Sequence, residues 1–213
     1  MLTVACVLKT GVWKNMTKKV EYKPEHVARL AAQVKKHLTL PHEFVCLSDV
    51  PVSVPRVELI HNWPGWWSKM ELYRPGLFPG RTLYLDLDTT VVGNINHFFD
   101  RDQFTVLMNL SSKKRDRIGS GILYWSGDQS YLYETFKGAP IRYMEEYSKD
   151  SHRWGDQGFL QEHLKNWVLW QDVFPNQVRS QKLDPPHVED RIICAHGKPK
   201  PWDVPPVTLA PDP

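Results

Sequence analysis

The chain has 213 residues, with 27 Lys and Arg against 24 Asp and Glu, for a formal charge of +3. That length suits one domain with a sizeable core, and so small a net charge does not indicate nucleic acid while allowing an anionic substrate held by local charge. Hydrophobic content of 41% and 24% charged residues are those of an ordinary soluble globular protein, and no stretch approaches a membrane span.

Met1 to Leu8 is too short for a secretory signal core and reads as a buried first strand over Thr3–Leu8. A polar loop with Lys9, Thr10, Gly11 and Trp13 follows. Pro24 opens a helix in which Val27, Leu30, Ala31, Val34 and Leu38 recur at helical spacing. Phe44–Leu47, ending on Ser48-Asp49, and Val57–Ile60 are the next strands. Trp63, Trp66 and Trp67 gather around Pro64-Gly65 as a shaped aromatic wall, either core packing or a surface for sugar C–H faces. A short helix over Ser68–Leu72 precedes a strand that begins at Arg81. Strands Phe104–Met108 and Ile122–Trp125 follow, then helices Asp128–Phe136 and Asp156–Leu164, each opened by an acidic residue. Arg191–Ala195 is the last strand. The proline-rich stretch from Lys198 to Pro213 suits neither a helix interior nor a central strand. Alternating strands and helices predict a mostly parallel sheet covered on both faces.

Cys6, Cys46 and Cys194 lie in apolar surroundings at no metal-binding spacing. They read as reduced core thiols, which points to a cytoplasmic protein.

The richest segment is Arg81-Thr-Leu-Tyr-Leu-Asp86-Leu-Asp88-Thr-Thr-Val-Val-Gly93. Side chains alternate across a strand, so Asp86 and Asp88 are expected on one face. Two carboxylates that close repel unless a cation or a shared proton lies between them. Asp-x-Asp holds a metal in nucleotide-sugar glycosyltransferases. Asp86-Leu-Asp88-Thr-Thr90 also fits the nucleophile and general acid of haloacid-dehalogenase-type phosphatases, and a plain strand-end turn is a third reading.

Three further segments bear on the choice. His196-Gly197-Lys198-Pro199-Lys200-Pro201-Trp202 combines an imidazole, a glycine for close backbone approach and two lysines, a compact anion site with one potential metal ligand. Gly119-Ser120-Gly121 places small residues ahead of a strand, as a ligand-facing turn or simply a turn. Trp154-Gly155-Asp156-Gln157 opens a helix, with Asp156 either a ligand contact or a cap.

In this order and spacing the motifs resemble the retaining glycosyltransferases of the glycogenin and bacterial lipopolysaccharide galactosyltransferase type, commonly called family 8, over roughly residues 40 to 202. The resemblance implies a GT-A fold, a Rossmann-like, mostly parallel α/β sheet in one domain over residues 1–203, with 204–213 a tail. It implies Asp86, Asp88 and His196 as ligands of Mn2+ or Mg2+, and Lys200 with Lys198 on the donor diphosphate beside Gly197. It also implies Lys69, Ser120, Gly121 and Asp156 as donor contacts, with Gln157 near the anomeric carbon and Gln157 and Asp156 as the candidate catalytic residues. Lys9, Thr10 and Asp49 stand where such folds hold the nucleoside. The implied partners are a nucleoside-diphosphate sugar, with uridine the expected nucleoside, and a glycan, protein or other acceptor. Ile118-Gly119 replace the family's Phe-Asn before Ser-Gly. A non-catalytic nucleotide-sugar or glycan binder on the same fold is the alternative of a different class. The phosphatase reading would also need Ser111 and Lys165 near the aspartates.

Overall fold

An unbroken apolar run makes β1 (Leu2–Leu8) a strand buried on both faces, and the main sheet is arranged around it. The computed structural model describes residues 1–11, 22–111, 115–149 and 154–204. Trp13 and the tail beyond Val204 lie outside the described residues.

Strands are numbered in chain order. On one side of β1 lie β2 (His42–Ser48) and then β3 (Arg56–Glu58), and on the other β4 (Arg81–Leu85), all parallel. The sheet continues through β7 (Ile118–Trp125), antiparallel to both β4 and β6 (Phe104–Met108), and ends at β8 (Trp167–Leu169), parallel to β6. Seven strands in the order β3-β2-β1-β4-β7-β6-β8 thus contain one reversed member. This is the mostly parallel α/β sheet expected.

Side-chain alternation divides the core in two. Val4, Cys6 and Leu8 of β1, Leu83 and Leu85 of β4, and Ile122 and Tyr124 of β7 pack on one face, under α1 (Pro24–His37). Ala5, Tyr84, Leu123 and Trp125 point to the other face, where they meet Trp67, Met70, Phe136, Tyr147 and Phe159. These come from the 3-10 segment Gly65–Tyr73 and from α2 (Ser130–Gly138), α3 (Pro140–Lys149) and α4 (Gly155–His163). Cys6 and Cys46 stand side by side across β1 and β2, and all three cysteines are buried free thiols.

Some expectations need correction. Gly119-Ser120-Gly121 is part of β7, because Gly119 pairs with Leu107 and the Gly121 carbonyl accepts from the Asp86 amide. The strand expected at Val57–Ile60 is Arg56–Glu58, since the amides of Ile60 and His61 donate to the Glu71 carboxylate instead of to a neighbouring strand. Asp128 stands before α2 and accepts from the Ser130 amide. The expected Ser68–Leu72 helix is a longer 3-10 run. Helix α3, strand β8 and the short helix α5 (Trp170–Val173) were not anticipated.

Nor was a second sheet. Here β5 (Thr89–Val91) pairs antiparallel with β10 (Ile192–Cys194), which runs parallel to β9 (Val178–Ser180). The register sets Thr89 opposite Cys194. The segment after the aspartates is thereby stitched to the strand that leads into His196. Among the described residues no helix is long and apolar enough to cross a membrane.

Candidate active site

After β1 the chain builds outward on one side through β2 and β3, then returns to place β4 on the other. Such a switch leaves a crevice beyond the carboxyl ends of the two strands. A cleft of about 840 Å³ lies there, lined by Val7 near the end of β1, by Lys9 just past it, and by Asp86, Leu87 and Asp88 past β4.

The aspartates do not prolong β4. The Thr89 amide donates to the Asp86 carbonyl at 3.0 Å, closing a turn that ends the strand. The turn gives the two side chains different partners. Asp86 accepts from the Tyr84 hydroxyl at 2.5 Å and pairs with Lys69 at 2.9 Å. Asp88, 6% exposed, pairs closely with Lys200 and accepts from the Tyr22 hydroxyl at 3.0 Å. Burial and then the neighbouring Asp86 charge push the Asp88 carboxyl above the usual range, against the pull of Lys200.

Lys69 continues the chain of charges, with its ammonium 3.2 Å from Asp156 Oδ2 and 3.3 Å from Ser120 Oγ. Burial alone would lower its pKa, but Asp156 and Asp86 outweigh that and raise it, so the ammonium is fixed. Asp156 is itself pushed up by burial, a shift that Lys69 opposes. Ser120 and Gly121 reach the cleft because β7 bulges away from β6. Val106 pairs with Leu123 but the next residue, Leu107, pairs with Gly119, so Ser120, Gly121 and Ile122 have no partner on that side. The Asp86 amide donates to the Gly121 carbonyl at 2.9 Å, joining bulge and turn.

Past β10, His196, Gly197, Lys198 and Lys200 form another wall. Ser180 Oγ receives the amides of Lys182 and Leu183 at 3.3 and 3.1 Å, so its own hydroxyl proton points to His196 Nε2, 2.8 Å away. The ring is then neutral with its proton on Nδ1, facing Ser111 Oγ at 3.3 Å. Burial, and then the charges of Lys182 and Lys200, lower its pKa in agreement with that state. Just past β1, Lys9 pairs with Asp49 at 2.8 Å, and the Thr10 amide and hydroxyl both donate to Asp49 at 3.0 Å.

All the expected site residues therefore face this cleft except Thr10 and Asp49, which lie behind Lys9. Lys165, which a phosphatase would need, lies over the Tyr131 ring at 5.3 Å and does not line the cleft. The expected metal triad is not assembled. Among the described residues no three His, Cys, Asp or Glu side chains stand where they could hold one ion together, and the His196 ring is occupied by serines.

Five residues not singled out in the sequence complete the site. Tyr22, His26, Arg29 and Gln33 form a stripe along α1 and the turn before it. Tyr22 contacts Asp88 and Lys200, and His26 stacks on Trp202 at 3.8 Å between ring centroids. Arg29 donates to the carbonyls of Leu87 at 2.7 Å and Thr89 at 2.9 Å, clamping the aspartate turn. Gln33 accepts from the Val91 amide at 3.2 Å. The fifth addition is Lys182, whose ammonium lies 3.3 Å from where a Gly197 Cβ would stand. The spacing of 22, 26, 29 and 33 is a helical face and was readable. That it grips backbone carbonyls was not.

The same architecture occurs in solved structures. An active-site glutamine-to-glutamate mutant of LgtC superposes with a TM-score of 0.64 at 10% identity, covering 94% of this chain and 89% of that one. The glycosyltransferase GlyE of Streptococcus pneumoniae TIGR4 superposes with a TM-score of 0.68 at 15% identity, covering 97% of this chain and 58% of that one. This chain has the GT-A fold. In the GT-A frame the cleft described above is the crevice at the carboxyl edge, and the chain spans somewhat over half the length of GlyE. No protein-family model matches the sequence, and no curated protein is similar to it.

Proposed function

We propose that this GT-A chain is a metal-dependent retaining glycosyltransferase, moving a hexose from a nucleoside-diphosphate sugar, with uridine as the nucleoside, to an acceptor hydroxyl. The observation that carries this reading is the convergence of Asp86, Asp88, Lys69, Asp156, Gln157, Lys198 and Lys200 on one cleft. Both neighbouring structures are of glycosyltransferases or their mutants, and the LgtC structure concerns an active-site glutamine. Gln157 is the glutamine that lines the present cleft.

Lys200 and Lys198 would hold the diphosphate, with Lys182 adding to the positive field near Gly197. Asp86 and Asp88 suit a divalent cation. Burial first and then the Asp86 charge raise the Asp88 carboxyl; such an ion would offset both, and His196 would join the two aspartates by turning its ring off Ser180. Mixed carboxylate and imidazole donors fit manganese. The ion would supply Lewis-acid stabilisation of the departing diphosphate. Lys69, Ser120 and Asp156 would orient the sugar hydroxyls, and Lys9, Thr10 and Asp49 the nucleoside. In the transfer, the bond from the anomeric carbon to the diphosphate oxygen breaks with its electron pair on that oxygen. The acceptor oxygen bonds to the same face of the carbon and gives its proton to the departing diphosphate.

The test is calorimetry and thermal shift with nucleoside diphosphates and their sugars, with and without manganese. Stabilisation by uridine diphosphate that needs metal and vanishes in Asp88→Asn supports the reading. Metal-independent binding that survives Asp88→Asn counts against it.

A further inference from the structure

The tryptophans around Pro64 divide in the fold. Trp63 and Trp67 are core residues, and Trp67 stacks on Phe136 at 5.2 Å. Trp66 instead lines the cleft together with Trp154, 6.0 Å away between ring centroids and tilted by 54°. Trp154 is 43% exposed, and it is the one Trp, Tyr or Phe among the described residues in the exposed class.

Their placement is built in. In a 3-10 segment residues three apart eclipse one another, so Trp66 and Lys69 face the cleft together. Gly155 holds φ at +65°, and a Cβ there would stand 2.6 Å from Trp66 Nε1. Only glycine lets the start of α4 sit this close to the indole, and that contact sets Trp154 beside Trp66. Two residues on, Asp156 pairs with Lys69. The contacts thus run from Lys200 through Asp88, Asp86 and Lys69 to Asp156, and the two rings adjoin the end away from Lys200.

We infer that Trp66 and Trp154 form the acceptor subsite, and that the acceptor is a carbohydrate whose apolar C–H face lies on the Trp154 indole. The inference rests on the glycosyl-transfer reading above. The anionic half of a donor is drawn to Lys182, Lys198 and Lys200, which leaves its sugar toward Lys69 and Asp156. The next subsite outward is the aromatic corner. Two tilted neutral rings beside the Gln157 amide suit an uncharged ligand with one apolar face and a hydroxyl edge, which is the surface of a pyranose. A charged peptide or a phosphodiester chain would gain little from such a corner.

The experiment is saturation-transfer NMR on the full chain with lactose, maltose and cellobiose, for the parent protein, Trp154→Ala and Trp154→Tyr. Trp154 is exposed enough that both variants should keep the parent melting temperature. The expected result is saturable binding of at least one disaccharide, weakened about 10-fold by Trp154→Ala and largely kept by Trp154→Tyr. In transfer assays the KM for that disaccharide should rise by the same factor, with the donor KM changed less than about twofold. Absence of saturable binding to all three sugars overturns the inference, as does equal binding by all three proteins. A donor KM that rises with the acceptor KM assigns the rings to the donor instead, and likewise overturns it. Failure of the wider reading looks different: nucleoside diphosphates would not bind, while the disaccharide titration would still report on the two rings.

Discussion

The Lys69 ammonium meets the Asp86 carboxylate at 2.9 Å and reaches Asp156 at 3.2 Å. One cation thereby ties the 3-10 segment after β3 to the turn after β4 and to the first turn of α4. Truncating Lys69 to Met leaves Asp156 buried at 4% exposure without its counter-charge. Removing one partner of a buried pair costs about 3–5 kcal/mol. Urea unfolding should show a loss of that order, and a loss below 1 kcal/mol would mean the pair is open to water. The double variant Lys69→Met with Asp156→Asn should recover part of it.

Lys200→Ala tests the anion-binding wall. It should weaken nucleoside-diphosphate binding by about 1.5–3 kcal/mol, the range of a charge-assisted contact. A calorimetric titration with the diphosphate reads this directly. An effect confined to acceptor affinity would contradict the assigned role.

Arg29→Lys tests the clamp on the aspartate turn. Lysine keeps the charge but not the planar fork that reaches two carbonyls at 2.7 and 2.9 Å. Manganese-dependent nucleotide binding should fall about 10-fold or more, with a smaller change in metal-free binding. Equal losses with and without metal would show that Arg29 supports the fold generally.

His26 makes a pH prediction. Its Nδ1 accepts from the Lys23 amide at 3.0 Å, and its pKa is lowered, chiefly by burial. Protonating Nδ1 breaks that bond. With the folded pKa below the unfolded value of about 6.5, the unfolded state takes up protons first as pH falls. The stabilising contribution is complete above that value and is lost as pH drops through the folded pKa. Urea midpoints at pH 7.5 and pH 5 should therefore differ more for the parent chain than for His26→Gln. Identical pH slopes would remove His26 from the account.

Sequence patterns carried the large parts of this fold. Unbroken apolar runs marked β1 and β2, and helical spacing from Val27 to Leu38 marked α1, because each pattern follows from burial. The site was legible where short motifs concentrate charge, as at Asp86, Asp88 and the His196 to Trp202 stretch. Legibility failed where structure depends on distant partners. Thr89–Val91 and Ile192–Cys194 are too short to declare themselves and exist as strands by pairing with each other. Ser120 read as a turn residue because glycines flank it, while its place within β7 is set by its neighbours, Gly119 paired with Leu107 of β6 and Ile122 with Leu85 of β4. His196 fits a metal ligand by type, yet Ser180 and Ser111, which hold its ring, are 16 and 85 residues away.

Asp88 and Lys200 are 112 residues apart, and Tyr22 meets Lys200 across 178. Closing loops of that span is entropically slow, so contacts of this kind arise late, after local helices and neighbouring strands. A chain with its central sheet assembled would still lack the cation for the buried Asp88 carboxylate. Recovery of nucleotide binding during refolding should then lag behind recovery of helical signal, making ligand capture the marker of the final folding event.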